Sequence, residues 1–592
     1  MITYTISMPE PHTHLFHVTI DISEHTGDTL ELALPVWTPG SYMVREYARH
    51  VESFAVECSG QPLTWQKTDK TTWQIATHGN STIRATYRVY AFELSVRTSH
   101  LDDTHGYFNP ATLCMFIPGR TDQPHHVTII APAGWRVTTG LPAISDHGHT
   151  SPRFLAEDYD ELVDSPFECG THRLLTFEVE SVPHEIALWG YGNENEAQLV
   201  ADTKRIVEAT RALFDGPLPY RRYVFIVHLS DGIYGGLEHR NSVSNIIDRW
   251  TFQPTRAHER YLGLTSHEYY HVWNVKRIRP APLGPFDYRR ENYTRNLWVA
   301  EGITNYYDNL ILARGGLITR ERYLETLADD IVNMQSQPGR AIQSLAQSSF
   351  DTWIKFYRPD ENSSNSSISY YLKGSMVALL LDLHMRGRSN GTRSLDDVLR
   401  YLFATIYGGV DQECFYDAPA FAEQGGFLKA IEAITGNDDR FYHDMLAYAT
   451  ETTAELDYAA AFAQLGMQLV WGHRDGQANG MAPATLGMKL KSEQGRVKVV
   501  SVGRGGPAAQ GGIYAGDELL AFEGFRISEE KLQARLTERQ PGDQVRLTVF
   551  RGDWLIEIMA ILGAAPFDTL RLVVDADATE EQKQRYRHWL GL

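Results

Sequence analysis

Residues 266–273 read Ser-His267-Glu268-Tyr-Tyr-His271-Val-Trp. Two histidines at i and i+4 share one face of a helix, with Cβ atoms roughly 5–6 Å apart. That gap lets both imidazoles reach one zinc ion at about 2.0–2.1 Å. Glu268 stands next to the first histidine without being a ligand, which is the place of a general base. With 23 histidines and 74 acidic residues in 592, the pattern His-acid-x-x-His arises by chance roughly 0.1 times in such a chain. The third ligand is therefore the test, because a catalytic zinc keeps three protein ligands and one open position. Residues 297–307, Leu-Trp-Val-Ala-Glu301-Gly-Ile-Thr-Asn305-Tyr-Tyr, set a carboxylate in an apolar, helix-patterned stretch. A carboxylate there needs a partner, either a metal or a Lys or Arg cation. Glu301 is the expected third ligand. Asn305, one turn later, is placed to orient a ligand histidine.

These residues must be held by helices. Thr255 is expected to cap the helix that carries 267–271, which must end by Pro280. Thr294 is expected to cap a helix running toward Gly315-Gly316, and Ser394 with Asp397 reads as a capping box for 395–407. The stretch Glu-Asn-Ser-Ser-Asn-Ser-Ser (361–367) reads as a loop. The amino end is different. Segments 14–23, 29–37, 82–94 and 125–132 alternate or are broken by Pro, Gly, Asn and Asp, the pattern of strands in an antiparallel β-sandwich. Residues 221–229 read as a further strand. The expected layout is a multidomain α+β chain. It comprises a β-sandwich over 1–175, a strand-rich part of the catalytic domain over 176–254, and a helical catalytic part over 255–475. A strand-and-glycine-turn domain follows over 476–565, then an appendage over 566–592.

Composition bounds the partners. A net charge of −19 argues against nucleic acid or an anionic membrane, both of which demand a basic face. No run of about 18 apolar residues exists to span a membrane. The chain opens without a basic stretch followed by an apolar core, so no signal peptide is visible. Cys58, Cys114, Cys169 and Cys414 are far apart and read as buried thiols in a reducing compartment. A cytoplasmic location is expected, although a periplasmic form trimmed of its leader would look the same.

The motif His267–His271 followed by Trp298-Val-Ala-Glu301-Gly-Ile-Thr-Asn305-Tyr-Tyr resembles the gluzincin peptidases, in which a glutamate on a second helix completes the zinc site. Gly235-Gly236-Leu237-Glu238-His239 is similar to the GxMEN segment of the aminopeptidase N family, with Leu for Met and His for Asn. In that family the backbone of the segment pairs with substrate and its Glu binds the free α-amine, which implies that role for Glu238. Tyr370-Tyr371-Leu372-Lys373-Gly374 resembles the same family's YxKG segment and implies that Tyr371 donates to the oxyanion. Tyr370 is adjacent and stays open. Toward the carboxyl end, Leu486-Gly487-Met488-Lys489-Leu490 and Gly506-Pro507-Ala508-Ala509 through Gly516-Asp517-Glu518-Leu519-Leu520 resemble a PDZ domain. Leu486, Gly487 and Met488 match its carboxylate-binding loop, and Gly512 replaces a usual Ala. Such a domain implies capture of a peptide terminus as an added strand.

The whole arrangement resembles the glycyl aminopeptidase family: a β-sandwich, a thermolysin-like core and a terminal PDZ domain. Residues 35–51 and 271–280 carry further parts of that likeness. It implies one zinc per chain, peptide substrates with a free N-terminus, and release of small residues such as Gly or Ala. Lys276, Arg277 and Arg279 either meet substrate carboxyl groups or lie on the surface. Two other readings stay open: an endopeptidase with a PDZ docking domain, and a PDZ adaptor without activity.

Overall fold

Strict alternation builds the amino-terminal sheets. In the computed structural model, which describes residues 1–144, 151–408, 419–436, 440–474 and 482–591, strand Ile2–Ser7 buries Ile2, Tyr4 and Ile6 and turns its hydroxyl residues outward. Leu15–Ile22 and Ile83–Tyr90 alternate in the same way. A side-chain period of two gives each such strand one apolar face. These strands join a seven-stranded sheet in the order Arg153–Ala156, His125–Ile130, Ile2–Ser7, Leu15–Ile22, Ile83–Tyr90, Val51–Cys58, Gln61–Pro62. Its apolar face shares one core with a four-stranded sheet (Arg136–Thr139, Phe167–Gly170, His105–Phe108, Ser99–Leu101) and a three-stranded one. Sheets sharing a core in this way make the expected sandwich.

A second pattern follows. Tyr223–Ser230 is buried at all but its last position, as befits a strand covered on both faces. It lies parallel to Val182–Trp189 on one side and to Ser242–Asp248 on the other. The five-stranded sheet runs Arg173–Val179, Val182–Trp189, Tyr223–Ser230, Ser242–Asp248, Gly235–Glu238. Its last member is an antiparallel edge strand, so one side of Gly235–Glu238 has no strand partner in this sheet.

Contacts group the chain into two compact units. One comprises Met1–Asn296, Thr304–Ile318 and Leu395–Ile434; the other comprises Leu297–Ile303, Thr319–Ser394 and Thr435–Leu592. The first unit holds the sandwich, the five-stranded sheet and helix Thr255–Tyr270. The second holds helices Arg320–Gln335 and Tyr370–Arg388 and the carboxyl-terminal sheets. Among those, Met488–Glu493, Arg496–Val502, Glu518–Phe522, Gln544–Arg551 and Trp554–Ile561 form a sheet with a separate apolar core, joined by helix Glu529–Leu536. This is the domain whose glycine turns resemble those of a PDZ domain.

Several local expectations need correction. Thr255 is the first residue of its helix; the cap position is Pro254, which offers no side-chain bond. Thr294 does not cap the second helix, which opens with a π turn at Trp298–Gly302 and continues as Ile303–Arg314. Its hydroxyl instead accepts from the Asn296 N–H at 3.0 Å and donates to Glu423 at 2.7 Å. The serine-asparagine loop contains a single helical turn, Ser363–Ser366, whose buried Asn365 bonds Val502 O and Arg504 N, both at 2.8 Å. Cys58 is half-buried, unlike Cys114 and Cys169, and Cys414 lies outside the described residues. The segment 566–592 is tied to the rest of its unit. Thr569–Val574 pairs with Met467–Gly472, and Trp589, fully buried, packs against Tyr323 and Phe462. Among the described residues no helix is long and apolar enough to cross a membrane.

Candidate active site

Helix Thr255–Tyr270 buries one face from Tyr261 to Tyr270. Tyr261 is hydrogen-bonded to Thr203, and Tyr269 to Tyr220. The helix stops at Tyr270, yet His271 keeps helical angles, so it remains on the face that His267 began. His271 Nδ1 lies 2.6 Å from the Asn274 carbonyl oxygen. A carbonyl only accepts, so Nδ1 carries the hydrogen and Nε2 keeps its lone pair for a metal. His267 Nδ1 lies 3.4 Å from Asp308 Oδ2. Burial pushes the Asp308 carboxyl above its ordinary range, against the pull of His267. Asp308 and the backbone of Asn274 are thus placed to orient the two imidazoles. Asn274 is fixed in turn by Thr304, whose hydroxyl accepts from its side chain at 3.1 Å and donates to its carbonyl at 3.2 Å.

Glu301 sits on the π turn that opens the second helix. Such turns insert a residue into the helical ladder and re-aim a side chain. Three residues on is Thr304, and seven on is Asp308, so the helix presents Glu301 close to the face that engages Asn274 and His267. Ligand atoms of His267, His271 and Glu301 lie within 4.8 Å of one another. Two imidazoles and a carboxylate, with both Nδ1 atoms held from behind, fit a zinc ion in donor chemistry and number.

The edge strand lies against the same helix. A Cβ on Gly236 would stand 2.1 Å from Glu268 Oε1, so only glycine lets this backbone approach the carboxylate. Glu238, on the same strand, is buried, and its Oε1 has no hydrogen-bond partner among the described residues. Glu238, Glu268 and His271 bring ligand atoms within 4.8 Å of one another. Gly40 closes in on Glu238 from the sandwich: a Cβ there would lie 2.7 Å from both carboxylate oxygens, and its φ is +84°. Arg97 donates to the Gly236 carbonyl at 3.4 Å.

The basic residues after the helix face inward. Lys276 pairs with Asp164 at 2.7 Å. Arg277 donates to the carbonyls of Val272, Arg240 and Pro219, and Arg279 to that of Leu283. All three are buried, which removes both the substrate-facing and the surface reading. Burial alone would raise the Asp164 carboxyl, but Lys276 and His239 hold it down at about 2. His239 and the Arg240 N–H bond the same carboxylate. These bonds anchor the chain end that follows Glu238.

In the second unit, Ser369 caps helix Tyr370–Arg388 through Leu372 N. Gly302 and Gly374 meet where this helix crosses the π turn: a Cβ on Gly302 would lie 2.5 Å from Gly374 Cα. That approach sets Tyr371 near Glu301, whose charge, after burial itself, holds the phenol well above its ordinary range. Tyr371 is partly exposed and lies 3.5 Å from the Tyr357 hydroxyl; Tyr370 is fully buried. In the PDZ domain, Leu486 O accepts from Ala508 N and Gly487 O from Gly503 N, and Gly487 takes φ +65°. Met488 starts the adjoining edge strand.

Sequence comparison supplies the context. Residues 3–171 match the Peptidase M61 N-terminal domain, 260–377 the M61 glycyl aminopeptidase domain, and 484–562 a PDZ domain. An aminopeptidase N family protein from Idiomarina loihiensis is 30% identical over 100% of both chains, with a TM-score of 0.90. An M1 zinc metallopeptidase from Deinococcus radiodurans is 13% identical, covering 77% of this chain and 94% of its own, with a TM-score of 0.48. Native yeast LTA4 hydrolase is 13% identical, covering 78% and 70%, with a TM-score of 0.46. Among curated proteins none matches the chain at a significant level.

Proposed function

Since the chain belongs to the M61 glycyl aminopeptidase family of zinc metallopeptidases, we propose that it releases small N-terminal residues such as Gly or Ala from peptides, using His267, His271 and Glu301 to hold one zinc. The observation that carries the aminopeptidase reading is Glu238. A buried carboxylate oxygen without a partner is costly, and an ammonium is the ligand that relieves it. Glu268 and His271 bring ligand atoms within 4.8 Å of a Glu238 carboxylate oxygen, so an amine held there sets the cut one residue away.

Zinc, when bound, supplies a Lewis acid that acidifies water and polarises a carbonyl. Glu268 takes the proton from the attacking water and delivers it to the leaving amine. Tyr371, kept as a phenol by burial and by Glu301, donates a hydrogen bond to the developing oxyanion. Partial exposure favours it over the sealed Tyr370 in that role. The edge strand Gly235–Glu238 has no strand partner on one side in its sheet, which suits an extended substrate added there, and Gly236 lets that backbone lie against Glu268.

The test compares free and N-acetylated peptides. Glu238→Ala should raise the barrier for free-amine substrates by about 2–5 kcal/mol, the usual cost of truncating one side of a buried charge pair. Zinc content should be unchanged, and chelation should abolish turnover. Equal wild-type rates on free and acetylated peptides would instead establish an endopeptidase, and no hydrolysis at all an adaptor. The PDZ groove, in this reading, takes a peptide terminus or strand at Leu486–Met488.

A further inference from the structure

Arg97 lies beside the start of the edge strand Gly235–Glu238. Its backbone is fixed on both sides: the Tyr47 hydroxyl donates to its carbonyl at 2.8 Å, and its N–H donates to Ser95 Oγ at 3.2 Å. Its neighbour Val96 packs with Leu237 and Ile246 in a small apolar cluster. The half-buried guanidinium reaches the strand. Nη2 donates to the Gly236 carbonyl at 3.4 Å, and Nη1 stands 3.5 Å from where a Cβ on Gly235 would be. Nε is buried and has no hydrogen-bond partner among the described residues. A guanidinium carries five N–H donors; hydrogen bonds among the described residues use one. Nor does any carboxylate there pair with Arg97, and a cation withdrawn from water favours an anionic partner.

The direction of the substrate decides what meets this cation. With the amine at Glu238 and the base at Glu268, the bond to be cut lies beside Gly236, where a Cβ would stand 2.1 Å from Glu268 Oε1. The substrate therefore runs against the strand, from Glu238 back toward Gly235. Whatever follows the cut bond passes Arg97. At about 3.3 Å per residue, the three steps from Glu238 to Gly235 span roughly 10 Å, the length of an extended tripeptide. Lys276, Arg277 and Arg279 are engaged elsewhere, so they do not compete for this role.

We propose that Arg97 binds a carboxylate on the departing part of the substrate, foremost the terminal carboxylate of a short peptide, and so tunes the enzyme to peptides of about three residues. A guanidinium takes a carboxylate on two N–H bonds at once. A longer peptide carries its terminus past Arg97 and loses the bond. An acidic side chain on the second or third residue offers the same group. The inference rests on the aminopeptidase reading for the direction in which the substrate lies.

The test uses Ala-Ala-Ala, its C-terminal amide, and Ala-Ala-Glu amide. Two quantities are measured: kcat/KM, and the calorimetric Kd in the zinc-loaded Glu268→Gln protein. The wild-type site should favour the free acid over the amide by about 10–100-fold, the worth of a hydrogen bond to a charged group. Arg97→Met should erase that preference and leave the amide unchanged, and Arg97→Lys should restore part of it. A preference for the Glu amide, lost in the same variant, places the carboxylate on a side chain. Equal values for all three peptides overturn the proposal, as does a preference that survives Arg97→Met. A loss shared equally by all three overturns it too, since that marks a structural bond to Gly236. Arg260 is exposed and lies 5.0 Å over the Tyr234 ring; if Arg260→Met erases the preference equally, a general field is the cause and the proposal falls. Should Arg97→Met not fold, Arg97→Lys decides. N-acetyl-Ala-Ala-Ala cut as fast as the free peptide would sink the aminopeptidase reading alone, because the Kd of the acetylated acid and amide still reads Arg97 by itself.

Discussion

At the scale of single residues, the support behind the ligands matters as much as the ligands. His267 gains its orientation from Asp308, and removing such a partner typically costs 10–100-fold in metal affinity. Asp308→Ala should weaken zinc binding by about that factor, measured by competition with a chromophoric chelator, while Asn305→Ala should leave it unchanged. The reverse result would restore the orienting role to Asn305. A different residue sets a pH dependence. Burial, only partly opposed by its bond from Tyr288, pushes the Asp160 carboxyl up to about 7. Its unfolded value is about 3.9, so the folded state binds this proton more tightly. Stability is therefore given up as pH climbs from about 4 to about 7. Asp160→Asn should raise stability at pH 8 by at most about 4 kcal/mol, the free-energy equivalent of that change in proton affinity, and do little at pH 4. Thermal melts of both proteins at the two pH values check it, and equal effects at both would show that the charge is not the cause. Spacing singled out the two histidines and Glu268 as candidates. Asp308 was not singled out, because one carboxylate among 74 acidic residues has no signature until the helices are placed.

At the scale of elements, the site depends on glycine approaches. Gly236 brings the edge strand against Glu268, and Gly40 brings the sandwich loop against Glu238. A methyl group at Gly40 would collide with both oxygens of Glu238, proposed above to hold the amine, and would also impose a left-handed backbone on an alanine. Gly40→Ala should lower kcat/KM on free-amine peptides at least about tenfold, about 1.4 kcal/mol, with zinc content unchanged and any residual cleavage of acetylated peptides unaffected. Wild-type kinetics in that variant would mean that the loop yields and Glu238 is not fixed by it. Helix and strand existence followed from periodicity, but boundaries did not. Thr255 and Thr294 are good capping residues by type, yet Pro254 holds the first cap position. The second start fell to a π turn that serves Glu301, and tertiary demand overrode local preference.

At the scale of the whole molecule, the carboxyl-terminal segment contributes to a core. Trp589 is fully buried beside Tyr323 and Phe462, and truncating a buried tryptophan typically costs about 3–5 kcal/mol. Trp589→Ala should lower the denaturation midpoint accordingly, whereas the exposed Trp554 should tolerate the same change. An unaltered midpoint for Trp589→Ala would return 566–592 to the status of an appendage. Sequence alone determined what local pattern and covalent spacing can specify: the alternating strands of the amino end, the histidine pair on one helical face, the glycine turns of the PDZ domain. It left open everything that depends on atoms distant along the chain. Lys276, Arg277 and Arg279 read as surface or substrate-facing until Asp164 and three backbone carbonyls were found beside the first two and a fourth beside Arg279. Glu168 and its two histidine partners, His105 and His228, drawn from separate segments, share no spacing at all. Long-range pairing brings such groups together, because burying a charge is tolerable only where the fold delivers its partner.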